Sequence, residues 1–197
     1  DCGESTFEEA IKKPGLTGWD DVTVLLTHLH SDHSGSLGTF LAYNYFVLNR
    51  QVNLVHPVAT INNLLRLQGI GEEVYTYYQS MPYIVDLQIK ALPVHHAPDM
   101  ACFAYEVKDN DECIYYSGDA AEFPDTVAEK LKTNRYTRVY QDISSNPDSA
   151  HHCPVSIIET KVPRELRSRV YAMHLDSANF EQILHEKGFS VVESHRT

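Results

Sequence analysis

Three imidazoles and one carboxylate fall within the six residues His28 to His33, in the run Thr27-His28-Leu29-His30-Ser31-Asp32-His33-Ser34-Gly35. The run follows a β-rich segment, Val22–Thr27. Neutral imidazole and carboxylate suit zinc and similar divalent metals. Two ligands one residue apart point the same way where the strand period continues, which pairs His28 with His30 on one metal. The chain then turns, and Asp32 with His33 can face a second. Gly35 and Gly38 permit the turn into a following helix. A polar loop that merely happens to hold histidines is the bland alternative, and the spacing argues against it.

The 197 residues suit a single domain, residues 1–197, and 43% hydrophobic residues are enough to bury a core. The formal net charge of −11 argues against a sequence-independent grip on long nucleic acid, which needs a basic surface. It leaves room for a small anionic substrate held by local cations. No stretch approaches the roughly 20 apolar residues of a membrane span. The four cysteines, Cys2, Cys102, Cys113 and Cys153, form no CxxC pair or disulfide framework, which suits a reducing cytoplasm. Cys102 and Cys113 read as buried thiols, while Cys153 follows two histidines and reads as a packing residue or a functional thiol. Asp1-Cys2-Gly3 reads as the end of a strand entering a turn, so further strands are expected upstream.

Strand-like and helix-like segments alternate. Strands are expected at Val52–Val55, Leu87–Val94, Cys102–Val107, Cys113–Ser117, Arg138–Gln141, Arg169–Met173 and Phe189–Val192. Helices are expected at Leu37–Leu48, Thr60–Leu67, Phe123–Leu131, Pro154–Lys161 and Asn179–Lys187. Asp109-Asn110-Asp111 supplies a hairpin turn. Glu73–Tyr83 holds Tyr75, Tyr77, Tyr78 and Tyr83 and fits no simple pattern; stacking on a substrate base, helix packing and a dimer contact are all open readings. The pattern is mixed α/β with functional residues at strand ends.

The run THLHSDHSG resembles the HxHxDH signature of the metallo-β-lactamase superfamily of metal-dependent hydrolases. Three later motifs extend the resemblance. Leu92-Pro93-Val94-His95-His96 offers a further ligand, His96, with His95 as competitor. Tyr115-Tyr116-Ser117-Gly118-Asp119 points to Asp119 as bridging carboxylate, and Val170–Leu175 holds His174 as the last ligand. The resemblance implies a four-layer αββα sandwich, here lacking its first strands. It implies two divalent metal ions, zinc with manganese or iron as alternatives, and a metal-bridging hydroxide. His28, His30 and His96 would hold one metal, and Asp32, His33 and His174 the other. Asp119 would touch both, and Asp32 also counts among the catalytic groups.

Only 23 residues separate His96 from Asp119, which leaves no room for the long tRNA-gripping arm of the RNase Z-like branch. From Asp119 onward the chain still resembles that branch. There a histidine near His152 assists proton transfer to the leaving oxygen, so His152 is the expected general acid, with His151 second. The best match is an arm-less phosphodiesterase, of the kind that includes cyclic-nucleotide phosphodiesterases of the anti-Pycsar type. The expected substrate is a small anionic nucleotide, and the expected assembly a homodimer. An ester, thioester or lactone hydrolase, an RNA-processing enzyme and a non-catalytic metal-stabilised scaffold are the alternatives. The basic residues Lys161, Arg164, Arg167 and Arg169 read as a solvated face or a phosphate contact.

Overall fold

A computed structural model describes residues 1–12, 21–80, 83–84, 86–177 and 179–193. His195, one of the histidines with no expected role, lies outside them, as do parts of the tyrosine-rich stretch. The chain divides into two compact units, Asp1–Met81 and Pro82–Thr197.

The first unit opens with a short helix α1 (Thr6–Lys12) and a strand β1 (Thr23–Leu25). A single helical turn, α2 (Ser31–Ser34), carries the histidine run into α3 (Leu37–Phe46). Then follow β2 (Val52–Val55), α4 (Thr60–Leu67) and β3 (Tyr75–Tyr78). The three strands form a parallel sheet in the order β1-β2-β3. α4 packs through Ile61 and Leu65, one turn apart on a single face. These join Leu26, Leu41, Val52 and Leu54 in a core of their own. β3 is, with α1 and the short strands Tyr83–Ile84 and Cys153–Pro154 of the second unit, among the elements that the sequence pattern did not reveal. Its tyrosines serve packing: Tyr75 is 4% exposed and donates its hydroxyl proton to Asn62 Oδ1 (3.0 Å), and Tyr77 donates to the His56 carbonyl (2.7 Å). Burial pushes the pKa of both phenols above the ordinary tyrosine value, so both stay protonated.

The second unit holds an eight-stranded mixed sheet. Its elements are β4 (Tyr83–Ile84), β5 (Leu87–Val94), β6 (Cys102–Lys108) and β7 (Cys113–Tyr116). They continue through α5 (Asp125–Lys132), β8 (Arg138–Ser144), β9 (Cys153–Pro154) and α6 (Val155–Lys161). β10 (Val170–Met173), α7 (Phe180–Glu186) and β11 (Ser190–Val191) complete the unit. The hairpin turn at 109–111 is built on Asp109, whose carboxylate accepts the backbone N–H groups of Asp111 and Glu112.

Strand direction decides where function can sit. β5 and β7 are both antiparallel to β6 and so run the same way. β8 and β10 run parallel to β7, through helical crossovers. The carboxyl ends of β5, β7, β8 and β10 therefore share one sheet edge, where α/β folds gather ligand-binding residues.

The basic residues of the sequence analysis are occupied within the fold. Arg167 bonds Glu159 and the Val162 carbonyl, Arg169 bonds backbone carbonyls and Asn134, and Arg164 bonds the Glu186 carbonyl. Lys161 reaches the Phe123 carbonyl and Asp125.

Glu106 on β6 accepts hydrogen bonds from Lys130 and from the Tyr136 hydroxyl (2.5 Å). Burial, the largest single influence, raises its carboxyl, but the two hydrogen bonds and the Lys130 charge together outweigh it and hold the group below its ordinary value. A carboxylate held low stabilises the fold above its unfolded value, and that stability is lost as pH falls through the folded one. Glu106→Gln should cost about 1 kcal/mol at neutral pH, given partial exposure. In urea unfolding, the gap from wild type should narrow below about pH 4.3 and vanish at lower pH. A gap independent of pH would contradict this assignment.

Candidate metal centre

In the first unit, the histidine run is fixed from below by the chain's first residues. Gly3 lies so close to the run that a Cβ there would stand 1.9 Å from the Asp32 carbonyl oxygen. Cys2 N–H bonds the His33 carbonyl (2.8 Å), and Ser36 N–H bonds the Cys2 carbonyl (3.2 Å). Asp1 is thereby set beside the histidines. Its carboxylate accepts the Thr27 N–H (2.7 Å), the Thr27 hydroxyl (3.0 Å) and His33 Nδ1–H (3.0 Å).

These bonds assign two tautomers. A carboxylate only accepts, so His33 carries its proton on Nδ1 and leaves Nε2 as a lone pair. The Thr27 hydroxyl gives its single proton to Asp1, so it can only accept from His28 Nδ1 (3.0 Å). His28 Nε2 is therefore also a lone pair. It faces His30 Nδ1 at 3.0 Å. At that distance the two nitrogens are within hydrogen-bond reach and a few tenths of an ångström short of the ~3.3 Å that two ligands of one tetrahedral zinc would span. His28 is fully buried and His33 nearly so, whereas the Asp32 side chain is 53% exposed.

In the second unit, the expected residues gather on the carboxyl edge of the sheet. His96 lies two residues past β5, Asp119 three past β7 and His174 one past β10. Gly118 adopts a left-handed φ of 56°, which turns the chain so as to present Asp119. His174 itself holds φ 57°, a strained value for a residue with a Cβ, and strain of this kind concentrates at functional sites. His96 Nε2 and His174 Nε2 lie 3.7 and 3.8 Å from the same oxygen, Asp119 Oδ2. That is beyond hydrogen-bond reach and fits atoms arranged around a shared cation. Asp119 is 5% exposed, and a carboxylate so buried needs positive charge nearby. The donor chemistry of both units, imidazole nitrogen with carboxylate oxygen, fits divalent metal ions.

The adjacent histidine pairs separate cleanly. His96 is turned inward, with its side chain 7% exposed, and its Nδ1–H donates to the His151 carbonyl (2.8 Å). The His95 side chain is 89% exposed and bonds Glu122. His151 Nδ1–H donates back to the His96 carbonyl (3.0 Å), which engages one face of its ring in holding the loop. His152 Nδ1–H donates to Asp142 Oδ2 at 2.6 Å, a charge-assisted bond to a fully buried carboxylate. His152 stacks on His174 with ring centroids 5.0 Å apart, and its ligand atoms also lie near those of His96 and Asp119. Asp176 anchors the start of this loop by accepting the Ser144 hydroxyl and the Ser145 N–H.

Asp1 and Asp142 were missed by sequence reasoning. Each is a lone acid whose histidine partner is remote in the chain, so neither belongs to a local motif. The cysteines are all buried free thiols, and burial pushes Cys153 up to about 12, which makes it inert.

A family model described as "Anti-Pycsar protein Apyc1" matches residues 1–197. The Apyc1 anti-Pycsar protein of Bacillus phage BSP38 is 25% identical over 202 aligned residues, covering 88% of this chain and 75% of that protein. Among solved structures, the metallo-β-lactamase fold protein YhfI of Bacillus subtilis aligns with a TM-score of 0.74 at 15% identity, over 98% of this chain and 83% of that one. Human tRNase Z, short form, aligns with a TM-score of 0.69 at 15% identity, over 98% and 84%. The chain has the metallo-β-lactamase fold.

The Asp142–His152 pair generates a test. His152→Ala should retain bound metal but slow cleavage of an alkyl phosphodiester, whose departing alkoxide needs a proton, by about 10²–10⁴-fold, with little effect on bis-p-nitrophenyl phosphate, whose leaving group needs none. Asp142→Asn, which disturbs only the ring's proton and orientation, should lose a large part of the same factor. Turnover by Asp142→Asn at the wild-type rate would show that the pair does no catalytic work.

Proposed function

The chain belongs to the Anti-Pycsar protein Apyc1 family, and on that premise we propose that it is a phosphodiesterase that opens small cyclic nucleotides. The chain is a metal-dependent hydrolase with the metallo-β-lactamase fold. The observation that carries the finer reading is the His152–Asp142 pair beside the strand-end ligands. Opening a phosphodiester ring requires a proton for the departing alkoxide, and a histidine braced by a carboxylate can deliver one.

When bound, two divalent ions, with zinc the first choice, would supply Lewis acidity and an activated water. The protein's own residues do the rest. Asp1 and Thr27 hold His33 and His28 in the tautomers that ligation needs. The reading draws on both ligand groups, the histidine run with Asp32 and the strand-end set of His96, Asp119 and His174. His152 Nε2, with Nδ1 committed to Asp142, is the atom that would carry the proton to the leaving oxygen. The bond from Nδ1 to Asp142 fixes the ring so that Nε2 is the free edge.

Substrate size follows from what lies between His96 and Asp119. That span is filled by a short connection, β6, the Asp109 turn and β7, so it holds no gripping arm. With a net charge of −11, this favours a small nucleotide over a long RNA. A homodimer working in the cytoplasm completes the proposal, and four buried thiols suit a reducing compartment. Among the described residues no helix is long and apolar enough to cross a membrane.

The decisive assay is a substrate panel with protein loaded with zinc or manganese. It should include 3′,5′- and 2′,3′-cyclic nucleotides, a lactone and a thioester. Cyclic nucleotides should be hydrolysed to linear nucleoside monophosphates. Turnover of the lactone or thioester with no cleavage of any cyclic nucleotide would overturn the proposal.

A further inference from the structure

Beside His96 lies a cavity of about 650 Å³, with every lining wall drawn from the second unit. One side is the connection between β5 and β6, which contributes Pro98 and Met100, together with Phe103 at the start of β6. The opposite side is Ala150 and His151. The two sides are held at a fixed separation by the reciprocal hydrogen bonds between His96 and His151, at 2.8 and 3.0 Å. The cavity is therefore braced by two bonds rather than left as a gap between independent loops. Its volume falls in the range of small-ligand sites.

The lining chemistry is selective. Prolyl rings, a thioether, a phenyl ring and methyl groups make most of it, and no Asp, Glu, Lys or Arg side chain lines it among the described residues. Such walls favour a flat, uncharged heteroaromatic group over a phosphate. Met100 is the adaptable element, since its unbranched chain can settle against a ring face. His151 adds a polar tip at the rim, where it is exposed. His96 belongs both to this cavity and to the strand-end ligand set, because its Nε2 is turned toward Asp119. A phosphate held on the Asp119 side would carry its attached group across His96 and into the apolar cavity.

We propose that this cavity is the subsite for the heterocyclic base of the nucleotide substrate, with Met100, Pro98 and Phe103 as its contact surface. The proposal rests on the cyclic-nucleotide reading given above. It assigns base recognition to the β5–β6 connection rather than to Tyr75 and Tyr77, whose hydroxyls and rings are committed to packing in the first unit.

The test compares a 3′,5′-cyclic nucleotide with the base-free ribose 3′,5′-cyclic phosphate. The quantity read is the ratio of kcat/KM for the two substrates. Two variants bracket the cavity: Met100→Ala removes a contact, and Ala101→Trp fills the space from an exposed position. Each should lower the ratio by about tenfold, mainly by raising KM for the nucleotide. An unchanged ratio in both variants would overturn the subsite, including the case where both rates fall together. If the wild-type protein opens no cyclic nucleotide at all, the functional reading fails and the subsite fails with it. If it opens them and the ratio does not move, only the subsite fails.

Discussion

Nδ1 of each of four histidines is tied to a fixed partner, and each tie turns the opposite ring nitrogen outward. His33 is tied to the Asp1 carboxylate, His28 to the Thr27 hydroxyl, His96 to the His151 carbonyl and His152 to the Asp142 carboxylate. For the ligand candidates His28, His33 and His96, a proton on Nδ1 leaves Nε2 as the lone pair that can bind a cation, whereas for His152 the same tie orients Nε2 as the proposed proton carrier. The architecture around these ties makes sense as their support. Gly3 permits the close approach that brings Asp1 under the histidine run, and the parallel alignment of β7, β8 and β10 brings Asp142 and His174 to one edge. Function here depends less on the ligand list than on the groups behind it.

Much of this was readable in the sequence, for physical reasons that differ by element. Leu87–Val94 and Thr60–Leu67 match their expected bounds because hydrophobic patterning acts locally, and Gly69 closes the helix. β8 runs three residues beyond the expected Arg138–Gln141, because Asp142 and Ser144 break the apolar pattern while still pairing in the sheet. β3 was obscure because a run of tyrosines carries neither strand alternation nor helical spacing. Its identity comes from pairing with β2, a tertiary fact. Asp1 and Asp142 were illegible for the same reason, since a carboxylate that orients a distant imidazole leaves no trace in local spacing.

The same contrast separates the charged residues. The four basic side chains near α6 resemble a phosphate grip in sequence, yet each is bonded to carbonyls or acids of its own fold. The tyrosines look like a stacking platform, yet two of them are hydrogen-bonded into the first unit's core. The apolar β5–β6 connection attracted no notice in the sequence, because Pro, Ala and Met in a loop have no motif. Only the fold shows that they wall a cavity adjoining a candidate ligand.

The central proposal is that the imidazoles and carboxylates of the histidine run and of the strand-end set hold divalent cations, with Asp119 among the ligands. Metal content by inductively coupled plasma mass spectrometry tests it most directly, on wild-type protein and Asp119→Ala purified with zinc or manganese. The account predicts two ions per wild-type chain and a loss of at least one in the variant. A wild-type chain that binds no metal, or a variant that keeps both ions, would contradict it.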